Sequence, residues 1–382
     1  MTPRVLVVIG TRPEGIKLAP VIEALHGRSE LETRVALTGQ HTDLLDQALQ
    51  AFSVQVDWDL GIMREGQDLF DLAYGCLREL RGVVESYRPE LLLVQGDTAS
   101  VFFGALVAYF ERTRVGHVEA GLRSGDKWRP FPEEVFRHMT GVVADLHFAP
   151  TPDARRNLLA ENVDPATIHL TGNTVVDALQ RIAAQDRPVE SAELRAALEE
   201  GRRLVLITAH RRESFGEPLR RAFGAIRDAA DRYPDALFLY PVHPNPAVRE
   251  AAAEVLSDHP RIRLSEPLSY TDLLTALRRS TLVLTDSGGI QEEAPSFGVP
   301  VLVLREVTER PEGVRAGAAR LVGTDPVAIG EGIDAVLGAG PGERPPLRNP
   351  YGDGRAGERI ADIVAHALAD QPRRTTDWDG AS

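Results

Sequence analysis

The chain has 382 residues, which at roughly 100–200 residues per domain predicts two domains. Hydrophobic residues make up 43% and charged residues 26%, a composition that excludes a disordered chain and a membrane protein. The formal net charge of −13 argues against a general nucleic-acid or anionic-membrane binder, so an anionic ligand must meet a local basic site. The lone Cys76 excludes an internal disulfide and a Cys-based metal cluster, and lysine occurs only at positions 17 and 127. The sequence has no secretory-signal pattern and no long apolar run, so a cytoplasmic location is expected.

Short apolar runs that alternate with amphipathic stretches predict two doubly wound α/β domains with parallel sheets. Strands are predicted at residues 5–10, 34–39, 91–97, 115–121, 204–210, 236–243, 261–267, 282–288 and 299–305. Helices are predicted between them at 14–25, 44–52, 69–87, 101–111, 219–232 and 247–256. The first domain is placed at residues 1–170 and the second at 171–357. A last helix at 358–369 is expected to pack back on the first domain, and the polar end at 371–382 is expected to be disordered.

Polar residues that follow the predicted strands form candidate sites, because ligands bind at the carboxyl ends of strands in parallel sheets. GTRPEGIK, residues 10–17, places Arg12 and Lys17 beside a helix N-terminus, and helix amides with two cations form an anion site. Asp97, Glu119 and Glu133 follow, and converging carboxylates suit acid and base chemistry. Asp97 can equally be a helix N-cap and Glu133 an ordinary first-turn acid, whereas Glu119 has no evident helix-capping role.

The second half of the chain contains two further polar strand ends. TAHRRESFGE places His210 and Arg211 after one predicted strand, and YPVHPNP places His243 after the next. A single histidine there is more often structural. Two histidines at adjacent strand ends, one of them followed by paired arginines, favour phosphate binding.

LTDSGGIQEEAPSFG leads from a strand through Ser287, Gly288 and Gly289 into a helix. Two glycines at a helix start let backbone amides approach a phosphate. Glu292 and Glu293 lie about one turn later, where a carboxylate can bind ribose hydroxyls. The pattern predicts a nucleotide held by the second domain, with its reacting part facing the first.

The motifs GTRPEGIKLAPV, VQGDTAS, HVEAGLRS, FPEEVFRHMTG, TGNTVVDAL, TAHRRESFGE, YPVHPNP and LTDSGGIQEEAPSFG together resemble the non-hydrolysing bacterial UDP-N-acetylglucosamine 2-epimerases. The resemblance implies a GT-B fold, two Rossmann-like domains facing each other across an active-site cleft. It also implies reversible conversion of UDP-GlcNAc to UDP-ManNAc without a redox cofactor. In this family UDP leaves C1 as the C2 proton is removed, which gives 2-acetamidoglucal. Re-addition of UDP with protonation on the other face of C2 then yields the epimer.

The resemblance also implies roles for individual residues by their motif position. The implied catalytic residues are Asp97, Glu119, Glu133, His210, Arg12 and Lys17. The implied substrate contacts are Arg137, His243, Leu273, Ser287, Gly288, Gly289, Glu293 and Arg310, with Glu293 on the ribose. Leu273 stands where family members often have an aromatic residue near the uracil. No metal and no cofactor are implied, and the expected partners are UDP-GlcNAc, UDP-ManNAc, UDP and a second copy in a homodimer, with no nucleic acid and no membrane. Which carboxylate is the acid and which the base stays open.

Many bacterial members bind a second UDP-GlcNAc as an allosteric activator. TGQHTDLL retains Gln40 and His41 of that site, but Asp43 stands in the second glutamine position, and Gly66 stands in place of an arginine. Arg211 belongs to the same implied set. Losing a cation and gaining a carboxylate weakens binding of a dianionic diphosphate, so reduced or absent activation is expected.

Three other readings stay open at this point. A hydrolysing epimerase uses the same elimination but releases free ManNAc and UDP. A GT-B glycosyltransferase shares the fold, although three carboxylates on the acceptor side suit proton transfer at the sugar better than recognition of an alcohol. A non-catalytic UDP-sugar sensor would need none of those carboxylates.

Overall fold

The computed structural model describes residues 2–39, 49, 52–64, 66–185, 187–211, 214–308, 310–340 and 349–380. Residues up to Ala178, together with those from Tyr351 onward, form one compact unit, and Leu179–Pro350 form the second. The predicted helix at 44–52 lies almost entirely outside the described residues. No helix within those ranges is long and apolar enough to cross a membrane.

The first unit is a parallel sheet with helices on both faces. Its strands are β1 (Arg4–Ile9), β2 (Glu32–Leu37), β3 (Trp58–Asp59), β4 (Leu91–Gln95), β5 (Arg114–Val118), β6 (Leu146–Ala149) and β7 (Ile168–Leu170). Its helices are α1 (Arg12–His26), α2 (Leu69–Tyr87), α3 (Ala99–Phe110), α4 (Glu133–Val143), α5 (Pro152–Ala160) and α6 (Thr174–Ala183), the last of which continues into the second unit. The strand order is β3-β2-β1-β4-β5-β6-β7. The apolar residues of β1 and β4 are fully buried, as expected for parallel strands covered on both faces.

The second unit repeats this architecture. Its strands are β8 (Arg203–Thr208), β9 (Ala236–Pro241), β10 (Ile262–Ser265), β11 (Ser280–Thr285), β12 (Val301–Val303) and β13 (Ala319–Leu321), in the parallel order β10-β9-β8-β11-β12-β13. Its helices are α7 (Ala192–Glu199), α8 (Glu217–Arg232), α9 (Pro246–Leu256), α10 (Tyr270–Arg279), α11 (Gly288–Glu293), α12 (Pro311–Arg315) and α13 (Pro326–Leu337). The predicted fold class, two doubly wound parallel-sheet α/β domains, is confirmed.

The segment after the last helix differs from the sequence expectation. Helix α14 (Ala356–Ala369) packs against α1 of the first unit, with Ile360 and Val364 in the shared core. The segment after it is not frayed over the described residues, which end at 380. Trp378 is 6% exposed, packs with Leu158 and Leu170, and donates its backbone N–H to the Leu170 carbonyl at 2.7 Å. The expectation of disorder was wrong for this stretch because one buried aromatic ring and sheet-edge hydrogen bonds offset its polar composition.

The division between the units also lies beyond the predicted residue 170. The second domain was predicted to begin at residue 171, yet residues 171–178 belong to the first unit, whose edge strand β7 pairs with β6. The chain leaves the first unit only within α6, after Ala178.

Candidate active site

A buried ion pair joins α1 to the end of β5 in the first unit. Lys17 Nζ lies 2.9 Å from Glu119 Oε1 and 2.8 Å from Oε2, and Gln95 Nε2 donates to Oε2 as well. The Glu119 side chain is 4% exposed and that of Lys17 16% exposed. Glu119 has φ of 65°, a left-handed backbone conformation that is uncommon for a residue other than glycine. The carboxylate that sequence reasoning favoured as functional is therefore held by two donors in a strained turn.

Asp97 is an ion-pair partner rather than a helix cap. The N-cap position of α3 is Thr98, and the Asp97 carboxylate is paired with the guanidinium of Arg137 on α4. Arg137 also donates from Nη1 to the Leu122 carbonyl at 3.3 Å. Both side chains are largely buried. The structure therefore brings together two predicted site residues that are 40 positions apart in the sequence.

The two adjacent acids at the start of α4 have different environments. Glu134 is 2% exposed and accepts hydrogen bonds from the backbone N–H groups of Ser124 and Gly125, at 3.0 and 3.1 Å, which fixes the preceding turn. Glu133 has a buried Oε2 that finds no hydrogen-bond partner within the described residues. A buried carboxylate oxygen without a partner is costly in a purely structural role, so Glu133 stays a candidate for contact with a ligand.

Sequence reasoning missed a third buried carboxyl at this edge. Glu14 is 3% exposed; its Oε2 accepts from Gly10 N at 2.6 Å and its Oε1 from Thr11 Oγ1 at 2.9 Å. Burial raises the pKa of Glu14 to about 7, although the hydrogen bond from Gly10 lowers it and Asp97 adds a further rise. From its position in α1, Glu14 looked like an ordinary first-turn helix acid, and only the short connection from a buried strand to this helix hinted otherwise.

His117 forms a hydrogen bond to the backbone at the end of β4. It is fully buried on β5, and its Nε2–H donates to the Gly96 carbonyl at 2.7 Å, next to Asp97. Burial lowers the pKa of His117 to about 3, so the ring is neutral at physiological pH. This histidine holds the backbone that positions Asp97 and was not a candidate from the sequence.

The second unit gathers its polar residues around Asp286, which sequence reasoning also missed. Asp286 Oδ2 accepts from the backbone N–H groups of His210 and Arg211 at 2.7 and 2.8 Å, and Oδ1 lies 3.2 Å from His210 Nδ1. Burial raises the pKa of Asp286, but the hydrogen bonds from His210 and Arg211 outweigh it and hold the pKa below its usual value. The charged carboxylate therefore orients His210.

His210 and His243, the two candidate histidines of this unit, are in contact. The rings of His210 and His243 stack with centroids 5.3 Å apart and an angle of 18° between planes. Burial and the nearby His210 lower the pKa of His243. The pairing of β8 with β9 thus brings these two side chains together.

Arg310 lies against the glycine-rich turn that begins α11. A Cβ atom on Gly288 would lie 3.2 Å from Arg310 Cζ, so a glycine is what lets the guanidinium approach the backbone so closely. Arg310 Nε donates to Glu292 Oε1 at 2.9 Å, and Glu292 is buried. Glu292 is thus the charge partner of Arg310. Glu293, 8% exposed, lies near Gly289 and stays the candidate for the ribose.

The remaining predicted residues lie as follows. Arg12 begins α1 and is half-buried, and Leu273 is half-buried on α10. Gly66 is exposed, while Gln40, His41 and Asp43 lie outside the described residues. Lys127, the second lysine, is exposed, with Nζ 5.3 Å from the centre of the Trp128 ring. Across the described residues, no group of three or more His, Cys, Asp or Glu side chains has an arrangement that could hold a metal ion.

The family model of UDP-N-acetylglucosamine 2-epimerase matches residues 23–365. The UDP-N-acetylglucosamine 2-epimerase of Bacillus subtilis (strain 168) is 46% identical over 364 residues, which cover 94% of this chain and 94% of that protein. The S. aureus MnaA–UDP co-structure has 42% identity and a TM-score of 0.86, covering 98% of this chain and 100% of that chain. The UDP-GlcNAc 2-epimerase of Neisseria meningitidis bound to UDP-GlcNAc has 39% identity and a TM-score of 0.84, covering 96% and 100%.

These likenesses first define the class, a two-domain α/β enzyme of the GT-B type. The family match spans most of the chain, and the B. subtilis relative is identical at nearly half of the aligned positions. The chain therefore belongs to the UDP-N-acetylglucosamine 2-epimerase family, and this membership supports UDP-N-acetylglucosamine 2-epimerase activity.

Proposed function

We propose that the chain interconverts UDP-GlcNAc and UDP-ManNAc by elimination and re-addition of UDP, without hydrolysis. The observation that supports this most directly is the set of three carboxylates in the first unit. Glu119 is held by Lys17, Asp97 is paired with Arg137, and Glu133 has a buried oxygen without a partner among the described residues. Proton transfer at a sugar carbon calls for such groups.

The reaction balances as two opposite steps. One carboxylate takes the C2 proton, and the electron pair of the C2–H bond forms the C1=C2 double bond of 2-acetamidoglucal. The C1–O bond breaks at the same time, and its electron pair leaves with UDP. An oxygen of UDP then adds back to C1 while a second acid protonates C2 from the other face. C2 is not next to a carbonyl, so its proton is weakly acidic, and cations that stabilise the departing diphosphate lower the barrier. Two protonation faces call for more than one acid or base group.

The second unit is proposed to bind the uridine diphosphate. His210 and His243 supply ring N–H donors, Arg310 supplies positive charge, and the Ser287–Gly289 turn supplies backbone N–H groups. The S. aureus relative was solved with UDP and the N. meningitidis relative with UDP-GlcNAc, which supports a uridine nucleotide as the ligand here.

Incubation with UDP-GlcNAc in D2O, followed by NMR, tests the proposal. We expect deuterium at C2 together with intact UDP-ManNAc. Free ManNAc would indicate the hydrolysing reaction instead. Absence of exchange at C2 would exclude both epimerase reactions and would favour a glycosyltransferase or a UDP-sugar sensor. Glu133→Gln should suppress exchange, whereas Glu23→Gln, a change of the same type at an exposed position of α1, should leave it unchanged.

Reduced or absent activation by a second UDP-GlcNAc is part of the proposal, because Asp43 and Gly66 replace ligand-binding residues implied by the family. Rates should rise hyperbolically with UDP-GlcNAc, and the reverse reaction from UDP-ManNAc should start without a lag. A sigmoidal curve, or a lag that added UDP-GlcNAc removes, would contradict it. A homodimer and a cytoplasmic location complete the proposal, as expectations from the family and the composition.

A further inference from the structure

Glu14 lies where the first strand of the first unit passes into the first helix. Its carboxyl accepts the backbone N–H of Gly10, the first residue after β1, and the hydroxyl of Thr11, the N-cap residue of α1. The Thr98 hydroxyl lies near enough to lower the pKa of Glu14 but makes no hydrogen bond of ordinary geometry. The carboxyl therefore binds the turn before α1 and faces the turn after β4.

The strand ends around this carboxyl are closely packed. A Cβ atom on Gly10 would lie 2.6 Å from Ser100 Cβ and 3.0 Å from Glu14 Oε2, and one on Gly39 would lie 2.0 Å from the Gly10 carbonyl oxygen. Ser100 Oγ is 2.6 Å from Thr38 Oγ1, which ties the turn after β2 to the start of α3. Because the ends of β1, β2 and β4 are packed this closely, a change at Glu14 is transmitted to the backbone rather than absorbed by empty space.

We propose that Glu14 is a positioning residue for the epimerase reaction, because it fixes the start of α1, which presents Lys17, against the turn that presents Asp97. This inference rests on the proposed function. Lys17 lies three residues after Glu14, one helical turn further along α1, and reaches Glu119 from there. Thr98 directly follows Asp97, so the groups that face Glu14 flank both ion pairs of the site.

The chemistry of the contacts says what the position requires. Gly10 N–H and the Thr11 hydroxyl both donate, so the side chain at position 14 must accept. Glutamine keeps one acceptor oxygen and nearly the same shape, whereas alanine leaves the buried Gly10 N–H without its partner. Asp97 after β4 raises the pKa of Glu14, and Glu14 in turn raises that of Cys76 of α2, where burial is the main cause of a thiol pKa of about 11. Neither group supplies a positive charge, so a neutral acceptor suits the position.

The chain offers an unusually direct test, since it has only two lysines. Labelling with 13Cε-lysine gives two NMR signals, and Lys127→Arg assigns them. Glu14→Ala should shift the Lys17 signal and leave that of Lys127 in place. It should lower kcat for C2 exchange by about 100-fold, the cost of misplacing a catalytic group by roughly 1 Å, with a much smaller change in KM. Glu14→Gln should restore both readouts, and Glu23→Gln on the same helix should change neither.

An unchanged Lys17 signal and normal kcat in Glu14→Ala would overturn the inference, as would a folded Glu14→Gln protein that fails as badly as the alanine variant. If the alanine variant does not fold, Glu14→Asp replaces it, since the shorter side chain cannot keep both contacts. A wild-type protein without C2 exchange would refute the proposed function, while the lysine signals would still decide whether Glu14 positions Lys17.

Discussion

Replacing Lys17 tests the ion pair at the centre of the site, and Lys17→Arg tests it without changing the charge. Nζ is within 2.9 Å of both oxygens of a carboxylate that is 4% exposed and that Gln95 also contacts. A compact ammonium fits there, whereas a planar guanidinium is wider and directs its donors differently. A displacement of about 1 Å costs roughly 100-fold in rate, so Lys17→Arg should lower kcat for C2 exchange by at least about that factor.

A double-mutant cycle gives the energy of the pair. Lys17→Met leaves Glu119 buried without its cation, a change that costs roughly 3–5 kcal/mol of unfolding free energy. Glu119→Gln should cost less, because the Lys17 ammonium is 16% exposed and can reach water. The double variant should therefore be more stable than the sum of the single effects predicts, by at least about 1 kcal/mol in urea unfolding at pH 7.5.

The other lysine is the matched control. Lys127→Arg makes the same chemical change at an exposed residue beside Trp128, and it should alter neither kcat nor stability. Near-normal turnover of Lys17→Arg, or single effects that add within about 0.5 kcal/mol, would refute the argument that the geometry of this pair matters.

Three further predictions address other parts of the chain. Folding raises the pKa of Glu14 from 4.5 to about 7, so between these pH values the native protein holds a proton that the unfolded chain has lost. The protonated side chain stabilises the fold fully below pH 4.5, and this stabilisation is lost as the pH rises through 7. Between pH 4.5 and 8, the free energy of unfolding of the wild type, measured in urea, should thus fall by about 3 kcal/mol relative to that of Glu14→Gln. A difference between the two proteins that does not change with pH would contradict this. Gly288→Ala should shift the Arg310 guanidinium slightly and weaken UDP binding severalfold by calorimetry, while Gly224→Ala, where a Cβ meets nothing within 4 Å, should not. Trp378→Ala should destabilise the first unit by about 3 kcal/mol, and an unchanged urea midpoint would mean that the docked end contributes nothing.

The candidate site could be predicted from the sequence where a polar residue lies at the end of a buried strand. Asp97, Glu119, His210 and His243 were found in that way, because apolar runs reveal parallel strands and the carboxyl ends of such strands share an edge. The partners of these residues could not be predicted from the strand pattern. The ion pair of Asp97 with Arg137, for example, depends on how α4 packs on the sheet.

The residues that were missed are those whose role depends on burial. Glu14 has the appearance of a first-turn helix acid. Asp286 was not selected because the motif that contains it was interpreted through Ser287, Gly288 and Gly289. Trp378 stands in a polar segment, and its burial depends on a surface built by Leu158 and Leu170, more than 200 positions earlier. A pattern of neighbouring residues contains no information about such distant contacts.

Glu119 shows how local strain and distant contacts combine at one position. Its φ of 65° costs of order 1–3 kcal/mol for a residue with a side chain, and nothing in HVEAGLRS announces it. Glycine would relieve that strain but would remove the carboxylate to which Lys17 and Gln95 bind. The contacts from α1 and β4 offset the cost, and the strained turn in return directs the carboxylate toward them. Glu119→Gly should therefore relax the backbone and still destabilise the first unit, because Lys17 and Gln95 lose their shared acceptor.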